Sequence, residues 1–279
     1  MRAILILSLT MIFFGSELFA GGHSSTLQDV KARGKLRCVV TTGLPGFAAP
    51  DANGVWRGFD WDFCRATAAA VLGDANAVDP ITSTGKTRFT KLNAGEGDVL
   101  WRNTTITFSR DVSVKLRFLG VNYYDGQGFM VNKSLGVSSA KELDGASVCI
   151  QTGTTTELNL ADFFSSNNMS YEAVTIETND EARQNYEAGR CDIYTTDASG
   201  LASTRSSLPN PNDHMVLPEI ISKEPLGPAV RQGDDAWADI ITWVLAATIT
   251  AEELGVNSSN VDQMRNSNNP EIRRMLGTD

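Results

Sequence analysis

The sequence predicts an α/β protein built from two lobes, each a mostly parallel sheet flanked by helices. Short apolar runs alternate with helical spacings and short joints over the first 110 residues. The same alternation restarts near residue 140. The segment "LNAGEGDVLWRNTT" is echoed by "YEAGRCDIYTTDAS": a helix end, Ala-Gly, one or two residues, Asp, an apolar strand, then threonine and a polar group. Strand–helix–strand order implies a parallel sheet covered by helices. A repeated unit implies two lobes of similar build.

Taken in order, "TLQDVKARGKLRCVV" opens with a short helix, stops it at Gly34 and enters a strand over residues 36–40. In "GFDWDFCRATAAAVLG", apolar residues at 59, 63, 66, 70 and 71 keep helical spacing, and Gly73 is the stop. "TRFTKLNAGEGDVLW" gives a helix, a Gly-rich turn and a strand from Asp98. The Gly-containing stretch "YYDGQGFMVNKS" is extended and suits a crossing strand. In the second unit, a short helix and the Asp144-Gly145 turn lead to a strand over 146–150 and a second helix. "NDEARQNYEAG" is then helical, and Cys191 to Thr195 is the next strand.

The 279 residues allow one large domain or two ordinary ones, and 42% hydrophobic content supports a packed core. A net charge of -9 without a Lys/Arg cluster argues against binding nucleic acid or an anionic membrane surface. At the N-terminus, Arg2, the apolar "AILILSLTMIFFG" and the small residues Ala20, Gly21 and Gly22 form a secretory signal, too short to span a bilayer. Cleavage after Gly22 places Ala20 at the -3 position, so residues 1–22 are expected to be removed on export to the periplasm. Cys38, Cys64, Cys149 and Cys191 all follow the signal. An oxidising compartment suggests two disulfides in one of three connectivities, the alternative being four buried thiols. The spacing favours Cys38–Cys64 and Cys149–Cys191. No C-x-x-C occurs, and neither a metal nor a cofactor is expected.

Ligands of open α/β sheets bind at the carboxyl ends of strands, and three such ends here are unusually polar. The first is Asn103, Thr104 and Thr105 with Arg110 close behind. The second is "QTGTTTE", where Gly153, Thr154 and Thr155 lead into a helix start, a ready carboxylate site. The third is "TTDAS", where Asp197 follows an apolar strand. A guanidinium and free amides suit an anion, and a carboxylate suits a cation. A free amino acid carries both charges on one carbon. Taken singly, Asp197 reads equally as a helix N-cap and Arg110 as a surface ion pair with Asp111.

The segments "GLPGFAAPD", "GFDWDFCRA", "GDVLWRNTTITFSRD", "YYDGQGFMV", "GTTTELNLADFF", "AGRCDIYTTDASGL" and "LPEIISKEPLGPAVRQGDD" run in order from about residue 26 to the end. Together they resemble the periplasmic amino-acid-binding proteins of ABC transporters, solute-binding family 3, and most of all the general L-amino-acid branch. The resemblance implies a type II periplasmic-binding-protein-like fold with hinge strands. Lobe 1 would be residues 23–126 completed by 224–279, and lobe 2 residues 127–223. It implies that Arg110 clamps the ligand α-carboxylate with the N–H groups of Thr105 and Thr155. Asp197 would take the α-ammonium with the Thr105 hydroxyl and the Asn103 carbonyl. Leu44, Phe47 and the turn at Gly85 would face the ligand side chain. The implied partners are a free L-amino acid and an inner-membrane permease complex, and the implied state is a monomer.

Two departures stand out. Trp101 replaces a smaller residue, and Ile106 stands where Trp is frequent, which bears on local packing. The chain stops at "RRMLGTD" where relatives of this kind continue for some tens of residues. A truncated fragment and a shortened natural form are both open, and an exposed apolar face on lobe 1 is expected. "STGKT" lacks the first glycine of a phosphate-binding loop, whose position is Pro80. The rival class is an exported enzyme on the same scaffold, such as a dehydratase acting on a small carboxylic acid. It would need a positioned acid or base, and neither His23 nor His214 is an obvious one.

Overall fold

The computed structural model describes residues 24–278. The signal segment and His23 lie outside the described residues.

In the first half of the chain the strands are β1 (Leu36–Thr41), β2 (Ala49–Pro50), β3 (Trp56–Arg57), β4 (Val78–Ser83), β5 (Val99–Leu100), β6 (Leu116–Phe118) and β7 (Tyr123–Asp125). In the second half they are β8 (Gln127–Asn132), β9 (Ala146–Gln151), β10 (Tyr171–Ile176), β11 (Ile193–Asp197), β12 (His214–Val216), β13 (Glu224–Leu226) and β14 (Ala229–Arg231). The helices used below are α1 (Ser25–Arg33), α2 (Phe59–Leu72), α3 (Arg88–Asn93), α4 (Phe108–Ser113), α5 (Thr155–Ser166), α6 (Asn179–Glu187), α7 (Ala198–Ser206) and α8 (Asp235–Glu253).

Two five-stranded sheets define the lobes. One has the order β4-β1-β5-β14-β6 and the other β10-β9-β11-β8-β12. In each, the first three strands are parallel. The fourth strand runs antiparallel to them, so both sheets are mixed. The physical reason is the route of the chain. β8 enters the second lobe from its binding edge, and β14 re-enters the first the same way. A strand that arrives from the carboxyl edge must run against its neighbours. The two crossings pair as an antiparallel ladder, β7 with β13, and form the hinge.

The helical spacing expected over 58–73 is α2, which ends at Gly73 in the left-handed conformation. Cys38 of β1 is bonded to Cys64 of α2, and Cys149 of β9 to Cys191 just before β11. Trp101 fills the first core: its ring stacks on Phe63 at 4.4 Å, and its Nε1–H donates to the Thr67 hydroxyl at 3.2 Å. α8 leaves Trp243 and Ile249 exposed.

The echo between the two units is structural. The Asp98 N–H donates to the Arg37 carbonyl at 2.8 Å, while the Asp98 carboxylate accepts the Arg37 N–H at 2.7 Å. The Asp192 N–H donates to the Ser147 carbonyl at 2.9 Å, while the Asp192 carboxylate accepts the Ser147 N–H at 3.0 Å. In each lobe an aspartate ahead of the third strand of the sheet (β5 or β11) ties that strand's base to its parallel neighbour (β1 or β9).

Candidate functional site

The parallel strands of both lobes end at one cleft. Lobe 1 contributes Arg88, Arg102, Asn103 and Thr105. Lobe 2 contributes Gln151, Thr154, Thr155 and Asp197. The enclosed space is about 20 Å³, room for one water molecule, so the lobes are closed on each other. Glycines permit the approach. A Cβ on Gly153, whose φ is +71°, would lie 2.9 Å from the Lys86 Cα. A Cβ on Gly85 would lie 2.8 Å from the Thr154 Cγ2. Either contact would hold the lobes apart. Closure is also bridged by the Asn179 amide donating to the Thr41 hydroxyl at 3.1 Å and by the Ser203 hydroxyl donating to the Pro45 carbonyl at 2.6 Å.

Asp197 is the last residue of β11 and stands at the N-cap position of α7, yet its side chain does not cap the helix. The strand begins at Ile193, two residues later than the sequence suggests, because Cys191 and Asp192 serve the disulfide and the strand-base tie. The Asp197 carboxylate accepts no hydrogen bond among the described residues. Burial raises its pKa to about 7, with the Asp125 and Glu224 carboxylates adding to the rise and Arg88 and Arg110 opposing it.

The start of α5 is also open. Thr154 does not cap it, because its hydroxyl donates back to the Gln151 carbonyl at 2.7 Å. The first-turn N–H groups of α5 therefore keep the positive end of the helix dipole at the cleft.

Arg110, at the start of α4, is buried beside this space rather than lining it. Its guanidinium donates to the Thr105 carbonyl at 2.9 Å and lies over the Phe89 ring at 5.3 Å. It does not pair with Asp111. Burial lowers its pKa, and the carboxylates of Glu224 and Asp197 hold it up. Asn103 donates its N–H to Asp60 at 2.8 Å, while its Oδ1 is buried without a partner among the described residues.

Leu44 and Phe47 do not reach the polar pocket. They form a small apolar cluster with Leu226. Phe47 packs edge-on against Phe59 and Tyr123 and lines a neighbouring cavity of about 480 Å³.

Several cleft residues escaped the sequence reading. Arg88 is buried, donates to the Thr104 hydroxyl at 3.2 Å and leaves its Nε unpaired. Burial pushes its pKa well down, and the nearby Arg102 adds to this. Arg102 donates to the Ser83 carbonyl at 3.3 Å, and burial lowers its pKa to about 10 while Asp60 supports its charge. Asp60 itself is raised to about 6 by burial, against the Asn103 N–H bond. Glu224, from β13, accepts from the Thr105 hydroxyl and from the Thr155 hydroxyl at 2.9 Å. Arg102 stood inside a stretch already marked as polar. Arg88 follows the turn at Gly85. Nothing in the local sequence marks Glu224. His214 is elsewhere, its Nδ1 2.8 Å from the Tyr186 hydroxyl.

Two mixed α/β lobes, a two-strand hinge and a polar cleft between opposed strand ends define a bilobed ligand-binding protein. The chain belongs to the bacterial extracellular solute-binding proteins, family 3, whose pattern matches residues 36–257. It is 62% identical to the glutamate/glutamine/aspartate/asparagine-binding protein BztA of Rhodobacter capsulatus over 95% of this chain and 80% of that one. It is 57% identical to the general L-amino acid-binding periplasmic protein AapJ of Rhizobium johnstonii, over 95% and 79%. A solved periplasmic binding protein from Brucella ovis, with glutathione bound, superposes with a TM-score of 0.88 at 54% identity, covering 92% of this chain and 81% of that one.

Proposed function

We propose that this chain captures L-amino acids in the inter-lobe cleft, with broad specificity, and hands them to an inner-membrane ABC permease. The observation that carries the reading is one cleft holding a carboxylate without a hydrogen-bond partner among the described residues and an uncapped helix start beside buried guanidiniums. Asp197, with the Asn103 carbonyl, takes the α-ammonium. Arg110 and the amides at Thr105 and at Thr155, which follows Thr154 and Gly153, take the α-carboxylate. Two similar relatives are named for amino-acid binding, which supports the same ligand class. Glutathione, bound to the Brucella ovis structure, also presents a free α-amino and α-carboxylate pair at its γ-glutamyl end.

The mechanism is hinge closure. The lobes, 23–126 with 224–279 and 127–223, part about β7 and β13, and the ligand favours the closed form because it touches both strand-end sets only there. The mature chain starts after residue 22, works in the periplasm as a monomer and carries out no catalysis.

A thermal-shift screen against the twenty L-amino acids tests the reading. A ligand at a hundred times its Kd adds about 2.7 kcal/mol of stability. Shifts with many amino acids are expected. A cooperative melt that no amino acid moves would sink the assignment.

A further inference from the structure

Glu224 is almost fully buried at the meeting point of hinge and lobes. One oxygen, Oε2, accepts from the Thr105 hydroxyl of lobe 1 and from the Thr155 hydroxyl of lobe 2. The other, Oε1, accepts from the Asn159 amide at 2.7 Å and from the Ser222 hydroxyl at 2.6 Å. Ser222 in turn accepts the Gln127 N–H at 3.2 Å. All four neighbours of the carboxylate donate to it, the pattern an acceptor-only group requires.

A threonine hydroxyl has one proton. Once Thr105 and Thr155 both give theirs to Oε2, their oxygens offer only lone pairs to anything else. The two oxygens lie 3.3 Å apart, and neither has a proton left for the other. Both threonines line the cleft that Asp197 also lines. Lone pairs attract an ammonium and repel a carboxylate.

We propose that Glu224 is a positioning residue that fixes the hydrogen-bond polarity of the cleft, so that the facing threonines accept from a ligand amine. It never touches the ligand. It sorts the two ends of an amino acid: the amine goes to the oxygens it has polarised, and the carboxylate is left to the guanidinium and the backbone amides. This deepens, and rests on, the reading of the cleft as an amino-acid clamp.

The test compares L-glutamate with (S)-2-hydroxyglutarate, which carries a hydroxyl in place of the amine, by calorimetric titration of the full chain. Wild type is expected to prefer the amine. Glu224→Met removes both acceptor oxygens at similar length and frees the threonine protons. Its preference for the amine should fall about tenfold or more, with hydroxy-acid affinity held or improved. Thr105→Val should lower the preference to a similar degree. The double variant should lose no more than Glu224→Met alone, because Glu224 acts through the two threonines. Equal weakening of both ligands in Glu224→Met would show a mere strut between the lobes and overturn the proposal. Additive losses in the double variant would overturn it too, since Glu224 would then act on the amine directly. Should Glu224→Met not fold, Thr105→Val and Thr155→Val decide with Glu224 intact: an unchanged amine preference in both overturns the proposal. A wild type without any preference would instead overturn the clamp reading, a separate failure.

Discussion

The two lobes share one plan and differ where they meet. Each has three parallel strands, an incoming antiparallel fourth and an aspartate that ties the base of its third strand to the middle one of the three. At the other end of the same strands the chemistry diverges. Lobe 1 places Arg88, Arg102 and Arg110 at or beside the cleft, and lobe 2 answers with Asp197 and the open start of α5. The bases of the strands carry the fold, so they can be alike. On the proposed clamp reading the tips carry the ligand, so they must be unlike: a dipolar ligand needs each of its ends met by a different set of groups.

The largest effect should come from erasing that difference. Arg110→Ala or Asp197→Asn should each weaken amino-acid binding by about 3–5 kcal/mol, two to four decades in Kd, while the unliganded fold still melts cooperatively. Titration calorimetry with L-glutamine reads this. An Arg110 variant with unchanged affinity would remove the carboxylate assignment.

Next come the disulfides, one per lobe. They close loops of 26 and 42 residues in sequence separation, worth about 3–4 kcal/mol each by loop entropy. Replacing Cys38 and Cys64 with Ala should destabilise lobe 1, and the Cys149 and Cys191 pair should do the same for lobe 2, by nearly equal amounts in denaturant melts. A large inequality would show that the lobes lean on their staples differently.

The smallest effect is on pH, and its sign separates fold from ligand. Asp197 and Asp60 are raised to about 7 and about 6 by burial. A raised carboxyl costs stability above its folded pKa, and the cost fades as pH falls toward the unfolded value. Between about pH 7 and pH 4 these two groups should therefore make the unliganded protein more stable. On the clamp reading L-glutamine needs the Asp197 anion, so its affinity should fall by up to tenfold per pH unit below about 7. Melts and titrations at pH 8, 7, 6 and 5 check both signs.

Much of the lobe plan was legible because hydrophobic period and glycine stops are local signals. α2 and its Gly73 stop follow from the spacing of a few residues. The cleft was legible in part. Thr105 and Asp197 follow apolar strands and betray themselves as strand tips. Leu44 and Phe47 instead pack on the hinge residue Leu226, a contact that no local pattern encodes. Glu224 is 119 residues from the threonine it holds, and its neighbours in sequence look like any hinge. Trp101 departs from its expected size, yet Phe63 and Thr67 of α2 are shaped around it.

The central claim is that one molecule bridges the lobes through its α-amino and α-carboxylate groups together. Calorimetric titration of the wild-type protein with L-glutamine, with glutaramate, which lacks the amine, and with 4-aminobutanamide, which lacks the carboxylate, tests it most directly. L-glutamine should bind, and either deletion should cost about a hundredfold or more. An analogue that binds within tenfold of L-glutamine would contradict it.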